Sequence, residues 1–200
     1  MIYLASTSPR RRELLAQIGI NYELLLPESS EEAVDETPLP DEIPLDYVLR
    51  IARNKALFSW QRLVSSQKTL FPILAADTTV TIDHLILGKP TDAEEARHYL
   101  TLLSGQQHQV LTAVVGCFKE TIIERLSINQ VWFKPLTAQD IEWYIASQEY
   151  QDKAGGYALQ GRAASFIKRI EGSPSGIVGL PLYETSELLK LITQPNIKYE

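Results

Sequence analysis

The sequence predicts an α/β fold in which a mixed central β-sheet is flanked by helices. Apolar, β-branched runs and helix-spaced runs mingle along the chain without the strict alternation of a doubly wound parallel sheet. Residues 109–118 and 121–133 are two long strand-like runs joined tightly at Lys119-Glu120, which implies an antiparallel hairpin. The length of 200 residues, 44% hydrophobic and 22% charged, allows a sizeable core, as one domain over 1–200 or two closely joined lobes.

Residues 2–5 read as a short buried strand. Ser6-Thr7-Ser8-Pro9-Arg10-Arg11-Arg12-Glu13-Leu14-Leu15 then opens a helix, with Ser8 as N-cap and Pro9 at the first helical position, where a missing N–H costs nothing. The helix ends near Gly19. Three arginines in its first turn meet the positive end of the helix dipole and are mildly repelled unless an anion sits among them. The strand, small-residue turn and capped helix aim backbone donors and guanidinium groups at one point, and phosphate is the anion that fits. The plainer alternative is arginine stems splayed into solvent or paired with carboxylates elsewhere. No P-loop and no dinucleotide-binding glycine motif is present.

Residues 22–26 read as a second strand. Residues 27–44 are proline-rich and carry seven carboxylates, Glu28, Glu31, Glu32, Asp35, Glu36, Asp41 and Glu42, which suggests a long mobile loop. Val48, Ile51, Ala52, Lys55 and Ala56 recur at helical spacing, so a long helix covers 45–66. Residues 72–82 form an apolar strand, and Asp83-His84 turns it into a short partner at 85–87. Asp92 caps a helix through Leu103, with Glu94 and Glu95 where the dipole favours them and Gly105 as its stop. A further helix begins after Thr137 and reaches Ser147. A strand is expected within 157–170, an ordinary turn at 172–176 and, after Gly179-Leu180-Pro181, a last helix to about Ile192.

The formal net charge of -6, from 19 Lys and Arg against 25 Asp and Glu, argues against a nucleic-acid polymer as partner and for a small anionic ligand. One cysteine, Cys117, allows no internal disulfide and suits a reducing cytoplasm; its apolar surroundings mark a structural thiol. Neither a membrane span nor a signal peptide is indicated. His84, His98 and His108 lack zinc-type spacing, so any metal would be held by oxygen.

Asp77 is the sharpest single residue, because Ile73-Leu74-Ala75-Ala76 before it and Val80 after it predict a buried strand, where an ionised carboxylate needs a metal, a cation or backbone N–H groups. Lys89, between Gly88 and Pro90, holds its ammonium toward a phosphate or leaves it in water. Lys55 has an ordinary explanation, a cation late in a helix whose dipole welcomes it. Gln160 offers one acceptor and two donors, which match the N3–H and a carbonyl of uracil or thymine, although a flipped amide suits cytosine.

In order and across nearly the whole chain, Ser8-Pro9-Arg10-Arg11 with Glu13-Leu14-Leu15, Tyr47-Val48 through Lys55-Ala56, Ala76-Asp77-Thr78, Lys89-Pro90, Leu103-Ser104-Gly105 with His108-Gln109-Val110, Asp152-Lys153-Ala154-Gly155, Gln160-Gly161 and Val178-Gly179-Leu180-Pro181 form a series. This series resembles the Maf family of nucleoside triphosphate pyrophosphatases, in its branch acting on dTTP and UTP. The resemblance implies a cytoplasmic, often dimeric enzyme whose fold is similar to that of the inosine triphosphate pyrophosphatases. It also implies hydrolysis of a nucleoside triphosphate to the monophosphate and pyrophosphate with a divalent cation, Mg2+ or Mn2+.

By the same resemblance Asp77 is the proton acceptor, and Arg10, Thr78 and Gln160 set base specificity. Ser8, Arg11, Lys55 and Lys89 face the phosphates, and Asp77 with Glu32 or Glu31 holds the metal. In Ser173-Pro174-Ser175-Gly176, Pro174 departs from the aromatic residue that relatives usually carry. Alternatives within reach of the same motifs are a pyrophosphatase for modified nucleotides and a nucleotide-binding cell-division regulator without turnover.

Overall fold

The computed structural model describes residues 1–27 and 34–193. The strands are β1 (Ile2–Leu4), β2 (Tyr22–Leu24), β3 (Ile73–Ile82), β4 (Leu85–Leu87), β5 (Gln107–Phe118), β6 (Thr121–Phe133) and β7 (Ile167–Glu171). The helices are α1 (Pro9–Gln17), α2 (Pro44–Ser65), α3 (Ala93–Leu103), α4 (Ala138–Ile145), α5 (Pro174–Val178) and α6 (Leu182–Thr193). The strands make one sheet in the order β2-β1-β3-β5-β6-β7, with β4 paired to β3. β1 runs parallel to β2 and β3, whereas β3–β4 and β6–β7 are antiparallel, so the sheet is mixed as the sequence implies.

Two compact units are distinguished. The first holds Met1–Asp77, Thr112–Leu126 and Gly179–Glu200. Its β1 is buried along its whole length, as a parallel strand with neighbours on both edges must be. α2 buries a stripe of Tyr47, Val48, Ile51, Ala52, Ala56, Ser59 and Leu63 at the three- and four-residue spacing of one helix face. Each buried valine, isoleucine or leucine there contributes about 1.5–3 kcal/mol, far more than helix propensity does.

The second unit holds Thr78–Leu111 and Ser127–Val178. Its core gathers Val80, Ile82, Leu100, Leu103, Val131, Phe133, Tyr144, Tyr157 and Phe166. Asp92 caps α3 by accepting from the N–H groups of Glu94 and Glu95 at 2.8 and 2.9 Å, and Thr137 with Asp140 forms a capping box on α4. Between α4 and β7, Gly155 takes φ +67° and donates its N–H to the Gly88 carbonyl at 2.9 Å.

Several local expectations change. Ser8 occupies the N-cap position, but its hydroxyl makes no capping bond; its N–H donates to Ser6 Oγ at 3.2 Å instead. β2 stops at Leu24, while the strand expected within 157–170 is present as Ile167–Glu171, one residue beyond that range. Residues 172–176 are not an ordinary turn, since Pro174 starts α5, Ser173 Oγ accepts from the Gly176 N–H at 3.1 Å, and the Ser173 N–H donates to Asn129 Oδ1 at 2.6 Å. The described half of the acidic segment is not a loose loop either. Arg50 grips Glu42 through two bonds of 2.6 Å and donates to the Thr37 carbonyl at 3.1 Å, while Tyr47 Oη donates to the Glu36 carbonyl at 2.8 Å.

Candidate functional site

The first unit builds a charged cluster on the end of its share of β3. Ile73, Leu74, Ala75 and Ala76 are fully buried, and Asp77 after them is 7% exposed. A carboxylate so placed must be paired, because leaving it dry and alone costs several kcal/mol. Lys55 Nζ donates to Asp77 Oδ1 at 2.7 Å and holds Glu36 Oε1 at 2.6 Å. One ammonium thus draws two carboxylates together.

Lys55 stands in the middle of α2, too far from the last turn for the helix dipole to account for it. It occupies the buried stripe of that helix, one turn beyond Ile51 and two beyond Tyr47, and its position is explained by Asp77 and Glu36. Tyr47 fixes the backbone of Glu36, so α2 holds that residue at both its carbonyl and its carboxylate. Burial raises the Tyr47 phenol above its ordinary pKa, the charges of Asp77 and Glu36 raise it further, and the phenol stays a donor.

Arg11 is neither splayed into solvent nor left to the helix end. Its Nε donates to the Gly179 carbonyl at 2.7 Å and its Nη1 to Ser6 Oγ at 3.1 Å. Desolvation lowers its pKa, the Asp77 charge opposes that, the neighbouring Arg10 adds to the lowering, and Glu36 again opposes it. The guanidinium therefore stands in the field of the same two carboxylates that Lys55 holds. This is the charge balance an anionic ligand would meet in the first unit: fixed cations with acidic groups set among them.

Ser8, Arg10, Arg11, Lys55 and Asp77 thus fall in the first unit. Thr78, half-buried, follows Asp77 on β3 but belongs to the second unit, as do Lys89 and Gln160, both exposed. There the Lys89 turn is tied to the segment after α4 through Gly88 and Gly155. Glu31 and Glu32 lie outside the described residues. Sequence spacing does not single out Glu36 among the seven carboxylates; the signal that points to it is a lysine on an otherwise apolar helix face, which needs a carboxylate partner. Among the described residues no group of three or more His, Cys, Asp and Glu could hold a metal. Cys117 is buried, and burial pushes its thiol up to about 11, which suits a structural residue and not a nucleophile.

The family described as Maf-like protein matches residues 1–192. The chain belongs to the Maf family. The match to this Maf chain runs from β1 into α6 and includes Arg11, Glu36, Lys55 and Asp77. Its relatives include a dTTP/UTP pyrophosphatase of Nitrosomonas europaea, 54% identical over 192 residues that cover 94% of this chain and 93% of that protein. A dTTP/UTP pyrophosphatase of Burkholderia orbicola is 51% identical over 193 residues, 95% of this chain and 92% of the other. Among solved structures, a HAM1 protein from Coxiella burnetii aligns at a TM-score of 0.48 and 18% identity, covering 94% of this chain and 98% of that one. Among the described residues no helix is long and apolar enough to cross a membrane.

Proposed function

We propose that this Maf-family chain hydrolyses dTTP and UTP to dTMP or UMP and pyrophosphate, clearing them from the nucleotide pool. The observation that carries the chemistry is Asp77, a buried carboxylate held at 2.7 Å by an ammonium in a setting of fixed cations. The substrate follows from the relatives named above, which share half their residues with this chain over nearly its whole length.

In the reaction, Asp77 accepts a proton from the attacking water as its oxygen bonds to the α-phosphorus. The α–β bridging bond breaks and its electron pair leaves with pyrophosphate. Lys55 and Arg11 neutralise charge on the phosphoryl oxygens, and because hydrogen bonds already hold both, little reorganisation is required. Ser8 and Lys89 serve the phosphates, and Arg10, Thr78 and Gln160 select the base.

Asp77 and Glu36 fit a hard divalent cation, Mg2+ or Mn2+, since both offer oxygen and are already drawn to one positive charge. Bound there, such an ion would supply further neutralisation of phosphate charge and acidify water. Two protein carboxylates would be enough for such an ion, which ordinarily draws on substrate phosphates and water for its other ligands. In this reading Glu36 joins Asp77, beside the Glu31 or Glu32 that the family resemblance implies. A cytoplasmic homodimer acting on free nucleotides completes the proposal, and the net charge of -6 accords with free nucleotides over polymers.

Asp77→Asn tests the chemistry. Asparagine keeps the size and an acceptor for Lys55 but is a far weaker base, so turnover should fall by about 10²–10⁴-fold while nucleotide binding, read by calorimetry, persists. Turnover equal to that of the parent would remove Asp77 from the mechanism.

A further inference from the structure

Gln160 is exposed, and its side chain makes no hydrogen bond among the described residues, so the direction of its amide is set by the backbone that carries it. That backbone is held on one side by the Ala164 N–H, which donates to the Gly161 carbonyl at 3.0 Å, and on the other by a carboxylate. Glu149 Oε2 accepts from the Arg162 N–H at 2.7 Å, and Glu149 Oε1 lies 3.5 Å from Arg162 Nε. Gly161, between Gln160 and Arg162, passes directly over the same carboxylate. A Cβ at that position would collide with Glu149 Oε2 and lie 3.3 Å from Cδ.

We infer that Glu149 is a positioning residue for base selection, clamping the Gln160-Gly161-Arg162 turn so that the Gln160 amide meets the pyrimidine in one orientation. The inference deepens the proposed function and rests on its reading of Gln160 as the base-selecting side chain.

The clamp has a rigid foundation. The Glu149 N–H donates to Ser147 Oγ at 3.3 Å, and the Ser147 hydroxyl donates to the Tyr144 carbonyl at 2.6 Å. Tyr144 is fully buried in α4, so the backbone that carries Glu149 is tied to a helix of the core. On the other side, Arg162 lies over the Trp143 ring of the same helix, 5.3 Å from its centroid. The Glu149–Arg162 ion pair, half open to solvent, adds little by itself. The charge-assisted bond to a backbone N–H is the specific part, because it fixes the dihedral angles beside Gln160. Gly161 then has a definite reason to lack a side chain: its partner is the carboxylate of Glu149.

The test measures kcat and KM for dTTP, UTP and dCTP in the parent and in Glu149→Ala, Glu149→Gln, Gly161→Ala and Gln160→Ala, with a melting temperature for each. Glu149→Ala and Gly161→Ala should each lower the preference for dTTP over dCTP by about tenfold or more, chiefly through KM, because a loosened turn misplaces a recognition group. Glu149→Gln keeps an acceptor oxygen for the Arg162 N–H and should hold the preference within about twofold of the parent. If Gln160→Ala loses the preference while Glu149→Ala retains it, the clamp is wrong and the reading of Gln160 stands. If Gln160→Ala itself retains the preference, that reading fails and the clamp with it. A Glu149→Ala protein that melts earlier and loses kcat equally on all three nucleotides also overturns the inference.

Discussion

Lys55 sits on a helix face otherwise made of tyrosine, valine, isoleucine, alanine, serine and leucine, and two carboxylates keep it there. Asp77 is legible from sequence because an apolar run surrounds it; Lys55 is legible as a candidate cation, but its two partners are not, because they come from other elements that no local spacing brings near. A second buried ionisable residue makes a prediction of its own. His108 is 2% exposed, its Nε2 lies 2.7 Å from Tyr157 Oη, and its Nδ1 has no hydrogen-bond partner among the described residues. Burial lowers its pKa from 6.5 to about 3, so the folded protein keeps it neutral while the unfolded chain protonates it near 6.5. Stability from this group is therefore complete above about pH 6.5 and declines as pH falls toward 3, by up to about 1.4 kcal/mol per pH unit. Thermal melts between pH 7 and about pH 5, where ordinary carboxylates are still ionised, should show this slope in the parent and lose it in His108→Gln. An equal slope in both proteins would assign it to other groups.

At the scale of elements, caps and turns were read well where the responsible groups are adjacent in sequence. Asp92 and Thr137 cap α3 and α4 as their spacing indicates, and Asp83-His84 makes the β3–β4 turn with both residues at positive φ. Where contacts between distant segments decide the outcome, the sequence was silent. Asn129, far along the chain on β6, holds Ser173 and so helps make α5 from an expected turn, and Arg50 and Tyr47 lay residues 36–42 along α2. Gly155 belongs to the same class. Its φ of +67° excludes most side chains, and a Cβ would lie 2.8 Å from three atoms of the buried Val80. Gly155→Ala should cost about 1–3 kcal/mol in a urea or thermal unfolding experiment. Stability equal to that of the parent would show that the Gly155–Val80 contact does not restrict that position.

For the whole molecule, order mattered more than any one motif. The arginine turn, the buried Asp77 and the lysines each have ordinary explanations; their succession from Ser8 to Pro181 points to the Maf family, and the family match over residues 1–192 shows that membership. The mixed sheet was legible because its strands differ in length and connection, with a tight β5–β6 hairpin beside parallel pairing that needs crossovers. The division into two units was not, since it falls within β3, β5 and β6 and leaves no linker in the composition. The central claim is cleavage between the α- and β-phosphates of dTTP and UTP. The most direct measurement is product identification after incubation with Mg2+ across canonical and modified nucleoside triphosphates. The account predicts pyrophosphate with dTMP or UMP, formed faster than products from purine or cytosine nucleotides; orthophosphate with dTDP or UDP would contradict it.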